Sequence, residues 1–407
     1  MAKSKYAAAG GLLGLVLLLV ASGFGLLAFR DQSFSLEALI VGGVLCVLFS
    51  VHYLLCMSFF PGLDPYPIII AYILSALGMI LLWRSNPDIG QKQLIWVGAG
   101  LIGMLVVMLV LRNIQFWVRL KWVLMAASMG ILLVTLVIGN AQGGAKNWID
   151  IGGFSFQPSE FIKIVLIYVL ASELSEKRRL GQLLWPLAVF AVGCVGLLVL
   201  ARDLGGALLY ASTSLILFYV ATGNWLVTGA GLLAGAGGSV LAFKLFDHVK
   251  VRVAAWRNPW ASYESSGFQI AHGLMAIASG GLFGRGLTLG KVKIIPAYYT
   301  DYIFTVLCLE MGQIVGVAVI GFYVLLILRG IAAAMQSPNQ FNALLATGVI
   351  AMLAMQTFLI LGGVMKMIPL TGVTLPFVSY GGSSMIGSFF LLGILEAVIL
   401  NNQRNHE

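Results

Sequence analysis

FNALLATGVIAMLAMQTFLILG, residues 341–362, runs for 22 residues without one charge. At 1.5 Å per residue a helix of that length reaches roughly 33 Å, enough to cross a hydrocarbon core about 30 Å thick. Similar runs lie outward from it: 302–328, 226–245, 206–221, 184–201, 159–173, 120–139, 93–111, 66–83, 37–60 and 7–29 on one side, and 376–400 on the other. The chain has 407 residues, 60% hydrophobic and 10% charged, with a mean hydropathy of +0.99, whereas soluble domains carry about 25% charged residues. A water-soluble globule is excluded. The fold class is an all-α polytopic membrane protein with about twelve transmembrane helices and a large extracytoplasmic loop.

The net charge of +9 sits mostly in loops beside lipid, which suits topology and anionic membrane lipids, not nucleic acid. The first run follows Lys3 and Lys5, but its apolar core is longer than that of a signal peptide, so it reads as a span. If every run crosses, Lys3, Lys5, Arg112, Arg119, Lys121, Lys177, Arg178, Arg179, Arg329 and Arg404 share one side, which places both termini in the cytoplasm. The opposite side carries the thinner set Arg30, Arg84, Lys92, Lys146, Arg202 and Lys366. Cys46, Cys56, Cys194 and Cys308 share no metal-ligand spacing and read as packing residues.

The same alternation gathers the unusual polar segments 140–158, 246–301 and 364–383 on the outer face. In KNWIDIGGFSFQPSEFIK (146–163), Pro158 suits a first helical position, and Ser159 and Glu160 could serve unpaired N–H groups there. A helix start and a binding site fit that segment equally well, while Lys146, Trp148 and Asp150 resemble a headgroup-level cluster. In ARDLGGALLY (201–210), Arg202 and Asp203 stand where two runs meet, either as solvated turn charges or as part of a substrate path. The segment 252–287 combines Arg252 and Arg257 with Trp256, Trp260, Tyr263, Glu264, Gln269 and His272. Cations beside aromatics suit a ligand bearing phosphate and sugar, or else anchor an interfacial loop. Lys291, Lys293, Tyr298, Tyr299, Thr300 and Asp301 extend that surface. In MKMIPLTGVTLPFVSYGGSSMIG (365–387), two prolines and a Gly-Gly turn interrupt the apolar pattern, and irregular backbone at membrane depth is tolerated only against protein or a wet cavity. No Walker loop, HExxH or nucleophile elbow is present, which argues against an ATP-driven pump.

These segments, in this order, resemble the RodA/FtsW/SpoVE family of cell-wall polymerases, the SEDS proteins. The likeness spans about residues 66–400 and rests on KNWIDIGGFSFQPSEFIK, DLGGALL, GFQIAHGLMAIASGGLFGRGL, IPAYYTDYIF followed by Glu310, and IPLTGVTLPFVSYGGSS. It implies a ten-span core at 62–401 containing the loop 246–301, preceded by an additional pair of helices at 1–61 and followed by a short tail at 402–407. It further implies peptidoglycan glycosyltransfer: lipid II, a disaccharide-peptide on undecaprenyl pyrophosphate, is polymerised at the outer membrane face for elongation or division. The usual partner is a class B penicillin-binding protein. Such chemistry needs cations for the pyrophosphate and a base for the attacking hydroxyl. A divalent cation such as Mg or Mn could assist, although no ligand cluster announces one. The resemblance suggests Lys146, Trp148, Asp203, Arg252, Arg257, Gln269, Lys291, Ser379 and Ser383 as substrate-binding residues.

One departure touches the chemistry. Where the family usually carries an aspartate, between Asn258-Pro259 and Gly267-Phe268-Gln269, this chain has Ser262, whose hydroxyl is not ionised at neutral pH. The carboxylates that could serve as base are Glu264 and Asp301. The family's Glu-x-His is likewise replaced by Ala297-Tyr298-Tyr299. Three readings follow: an active polymerase with a relocated base, a catalytically reduced scaffold or lipid II binder, and a flippase of lipid-linked precursors. A flippase predicts matched inverted halves with ionisable residues at mid-membrane, and the carboxylates lie mostly at run ends instead.

Overall fold

The computed structural model describes residues 2–29, 34–111, 120–142, 144–152, 154–176, 181 and 187–404. Of the expected loop cations, Arg30, Arg112, Arg119, Lys177, Arg178 and Arg179 lie outside the described residues, as do residues 405–407 of the tail.

The chain begins with α1 (Ala2–Ala28), α2 (Leu36–Phe59), α3 (Pro65–Ser85), α4 (Pro87–Val110) and α5 (Lys121–Ile138). An antiparallel meander follows, made of β1 (Asn140–Gln142), β2 (Ala145–Ile151) and β3 (Phe154–Phe156). Next come α6 (Ser159–Leu174), α7 (Val192–Leu200), α8 (Leu204–Thr222) and α9 (Trp225–Leu245). The long loop holds α10 (Asp247–Arg257) and α11 (Phe268–Gly280). The chain closes with α12 (Ile303–Met311), α13 (Gln313–Met335), α14 (Gln340–Val364) and α15 (Gly382–Arg404).

Ten helices among the described residues are long and apolar enough to cross a membrane. The other two expected spans are occupied by α6, 16 residues long, and by α7, 9 residues long after the π-helical turn Leu187–Ala191. The expected count of twelve therefore comes out as ten by length, with two shorter helices completing the pattern. The all-α expectation is modified only by the small meander. Its turns pass through Gly144 and Gly152, both at positive φ; β1 and β3, at 3 residues each, are too short to leave a period-2 signal, and β2, AKNWIDI, does not alternate strictly.

Why the helices start where they do is legible in their caps. Asp64 accepts from Tyr66 N ahead of Pro65, and Asn86 accepts from Asp88 N ahead of Pro87, which satisfies donors a helix leaves open and uses proline where no N–H is needed. α3 and α14 are apolar on all faces and buried on almost all of them, so they form the centre of the bundle. α9 buries no residue at all and stands at the periphery.

One expected span is broken. Run 302–328 divides at Gly312, whose φ of 91° suits glycine, and a Cβ there would strike the backbone of Leu282 and Gly284. α12, at 9 residues, reaches only about 13 Å and cannot cross. It packs against α11 as a re-entrant hairpin, and its Glu310 forms a buried ion pair of 2.6 Å with Arg84 at the end of α3. Arg84 also donates to the carbonyls of Thr288 and Gly290 at 2.9 and 2.7 Å, locking the loop to the bundle.

All the unusual segments meet at one end. Lys146 N donates to Ala201 O at 2.8 Å, Gln157 N to Ser383 Oγ at 3.0 Å, and Ser379 Oγ to Thr300 O at 2.7 Å.

Candidate active site

Asp203 caps α8, and its carboxylate accepts from Gly206 N at 2.8 Å and from Asn147 Nδ2 at 2.6 Å. Burial pushes its carboxyl above the usual range, Glu160 pushes the same way, and the Gly206, Asn147 and Arg252 interactions oppose the shift. Arg252, from α10, donates to the carbonyls of Leu370 and Thr371 at 3.4 Å each. Those are long bonds for a guanidinium with five N–H groups, so most of its capacity is open to a ligand. Asp301 stands just ahead of α12. Burial raises its carboxyl to about 6, against the pull of the Thr300 side chain and the Arg252 charge. A Cβ placed on Gly372 would lie 3.9 Å from Asp301 Oδ2 and 4.0 Å from Arg252 Nη2, so the glycine leaves open the space these two groups border. Two buried polar atoms beside them, Thr371 Oγ1 and Asn147 Oδ1, have no hydrogen-bond partner among the described residues. Buried polar atoms are nearly always satisfied, and orphans on a charged cluster fit a place where a polar ligand or water belongs.

The wall of this cluster is the irregular segment 365–381, and its backbone is held from several helices, as membrane depth requires. Gln356 of α14 donates to Thr374 O at 3.0 Å, accepts from Lys163 at 3.1 Å, and so ties the wall to the Lys163–Glu160 pair of 2.5 Å on α6. Tyr323 OH donates to Pro376 O at 2.5 Å. All five non-glycine residues with positive φ among the described residues, Arg202, Thr288, Ala297, Lys366 and Phe377, fall in the segments that meet at this end, where strain is characteristically stored around sites.

The sequence-derived candidates divide. Asp203, Arg252 and Asp301 come together. Ser379 and Ser383 are buried, but their hydroxyls hold the wall: Ser379 Oγ accepts from Leu375 N at 2.9 Å while donating to Thr300 O, and Ser383 Oγ receives Gln157 N. Lys146 is exposed and donates to Val137 O at 3.0 Å, while Trp148 is half-buried in β2. Arg257, Lys291 and Glu264 are exposed and Gln269 is half-buried, and none joins the hydrogen bonds and charge couplings that link Asp203, Arg252 and Asp301. Their sequence neighbourhood placed them together, whereas α10 ends at Arg257 and the 3-10 turn Pro259–Ser262 carries the following residues away. Ser262 Oγ is buried without a partner and faces Gly267. The expected helix start also differs: Pro158 precedes α6, and Ser159 and Glu160 make no side-chain cap. The first-turn donors instead use the carbonyls of Gln157 and Pro158, Ser159 O accepts from Tyr210 OH at 2.6 Å, and Glu160 is spent on Lys163. Asn147 and Thr371 were not singled out by their spacing, since neutral polar residues leave no pattern to distinguish them, and Arg84 read only as an outer-side charge. Among the described residues no group of three or more His, Cys, Asp and Glu gathers as a metal site.

Comparison with known proteins places this arrangement. Residues 53–404 match the family described as cell cycle proteins of the FtsW/RodA/SpoVE type. The chain is 33% identical over 401 residues to the peptidoglycan glycosyltransferase RodA of Mycobacterium tuberculosis strain H37Rv, covering 91% of this chain and 85% of the relative. It is similar to a solved chain from a peptidoglycan synthase complex that coordinates polymerization and crosslinking, with a TM-score of 0.73 at 28% identity over 84% of this chain and 99% of that one. It is also similar to the crystal structure of the rod shape determining protein RodA of Thermus thermophilus, with a TM-score of 0.63 at 28% identity over 85% and 99% of the two chains. With the multi-pass bundle and all five motifs in one family's order, the chain belongs to the FtsW/RodA/SpoVE family.

Proposed function

We propose that the chain is a peptidoglycan glycosyltransferase that polymerises lipid II into glycan strands at the outer face of the cytoplasmic membrane, with Asp301 as the base. The observation that carries this reading is the meeting of Asp301 and Arg252 at the gap beside Gly372, with Asp203 coupled by charge to Arg252, in a chain whose relatives carry the glycosyltransferase name. Asp301 takes the proton from the attacking sugar hydroxyl. The oxygen bonds to the anomeric carbon of the donor, whose bond to the pyrophosphate breaks, and Arg252 meets the charge developing on that leaving group. Asp203, fixed by Asn147 and Gly206, supplies the countercharge that keeps the guanidinium at the site. A divalent cation such as Mg or Mn, where one takes part, would be held chiefly by the substrate's own phosphates. Neither the scaffold nor the flippase reading gains support from the relatives.

In this reading both termini are cytoplasmic and α1 and α2 are an addition to the ten-span core, in keeping with a family match that begins only at residue 53, inside α2. The crosslinking partner is a class B penicillin-binding protein, a proposal supported by the similarity to a chain of a synthase complex. The test is gel analysis of lipid II polymerisation by the full chain with its transpeptidase. Asp301→Asn should lower the rate by about 100-fold or more, while Glu264→Gln stays within about threefold, as expected for an exposed carboxylate away from the charge cluster. Strands that survive Asp301→Asn and vanish with Glu264→Gln would move the base to Glu264.

A further inference from the structure

The aromatic residues of the long loop take no part in the charge cluster, yet they are built into a surface of their own. Trp260 and Tyr263 lie nearly parallel at 15° with ring centroids 6.3 Å apart, and Tyr263 and His272 at 26° and 5.5 Å. Phe268 backs the row, 6.1 Å from Tyr263 and 4.1 Å from His272. Tyr263 OH and His272 Nε2 share a 3.0 Å hydrogen bond, which ties the stacked pair together, so that Tyr263 lies between Trp260 and His272 and Trp260 ends the row. Trp260 nevertheless remains 55% exposed and Tyr263 37%.

The turn that carries these rings is rigid. Asn258 Oδ1 caps it through Ala261 N at 3.3 Å, and Gly267 N returns to Ser262 O at 2.9 Å. Gly267 packs so closely that a Cβ would overlap the Pro259 carbonyl, so the ledge is fixed before any ligand arrives. Trp260, at the end of this braced row and open to solvent, offers an aromatic face to the apolar face of a sugar ring, which packs on it much as a base does.

We propose that Trp260 and Tyr263 form a saccharide-binding ledge for the β-linked aminosugar strand leaving the reaction centre. This rests on the glycosyltransferase reading for the identity of the strand, but sugar binding itself can be measured without turnover. The turn that carries Trp260 packs against both α10, which carries Arg252, and α11. A ledge of this kind holds the product between additions, so it governs strand length more than the rate of the first bond.

The experiment titrates chitohexaose, a β-1,4-linked N-acetylglucosamine hexamer, into the full chain in nanodiscs and follows saturation-transfer NMR. Trp260→Ala and Tyr263→Ala are each expected to weaken binding by on the order of tenfold, and Trp260→Phe to restore it to within about threefold. In polymerisation, Trp260→Ala should yield shorter strands at an initial lipid II consumption within about twofold of wild type. Binding that is unchanged in Trp260→Ala overturns the ledge, as does a strand-length distribution that stays the same. A Trp260→Ala chain that binds chitohexaose normally but loses its transpeptidase overturns it too, by making the patch a protein interface. Should the chain make no strands at all, the chitohexaose titration still decides between ledge and no ledge, and the missing strands count against the polymerase reading alone.

Discussion

Replacing Arg252 by Gln should move the pH profile of polymerisation upward. Both Arg252 Nη2 and Asp301 Oδ2 lie within 4.0 Å of the same point beside Gly372, so they are no more than about 8 Å apart. At an effective dielectric of about 20, opposite unit charges at that separation attract by roughly 2 kcal/mol. Arg252 is half-buried, and solvent screening reduces this to about 1 kcal/mol, a little under one pKa unit. A neighbouring cation favours the ionised carboxylate, so its removal raises the Asp301 midpoint from about 6 to about 7. The active form is the deprotonated base, so the rate rises with pH through each midpoint and then levels off. The assay is initial lipid II consumption between about pH 5 and 8.5, with log kcat/KM plotted against pH to report the free enzyme. Loss of a pyrophosphate contact lowers the whole curve without moving its midpoint, so position and height report separate roles. A midpoint that stays at about 6 or falls in Arg252→Gln would refute both the coupling and the assignment of the base.

Two further outcomes test the frame that holds the site. Arg84→Gln leaves buried Glu310 without its 2.6 Å partner, which should cost about 3–5 kcal/mol and lower the detergent-phase Tm by at least about 5 °C; a shift under about 2 °C would mean the pair is already solvated. Gly312→Ala forces an L side chain to φ 91° and into the backbone of Leu282 and Gly284, a destabilisation of about 2 kcal/mol or more. Unchanged thermal unfolding in Gly312→Ala would show that α12 and α13 do not depend on that break.

The bundle was legible because lipid demands long apolar runs, and such runs survive without an alignment. Asp203 and Asp301 stood out for the complementary reason, since a charge at the end of an apolar run is costly and calls for a partner, and Arg252 stood out as a cation among the aromatics of the long loop. The break at Gly312 was not, because glycine is apolar enough to leave a hydropathy run intact while its φ decides the path of the chain. The exposed position of Glu264, apart from the charge cluster, was not legible because sequence distance from Ser262 says nothing about which way a 3-10 turn points the next side chain. Arg84 read as an ordinary charge at a run end and Glu310 as a carboxylate within run 302–328, and only the re-entrant packing of α12 brings them together.

Basicity bears on the proposed role of Asp301. Burial at the head of α12 raises Asp301 to about 6, so at pH 7.5 it is still almost wholly ionised while its proton affinity is greater by about two units. Arg252 works against part of that gain, holding the carboxylate ionised at physiological pH as well as meeting the leaving group. In the proposed reaction, Ser262 can stand at the family's aspartate position without removing the chemistry, provided the re-entrant hairpin keeps Asp301 dry on one side and within reach of Arg252 on the other.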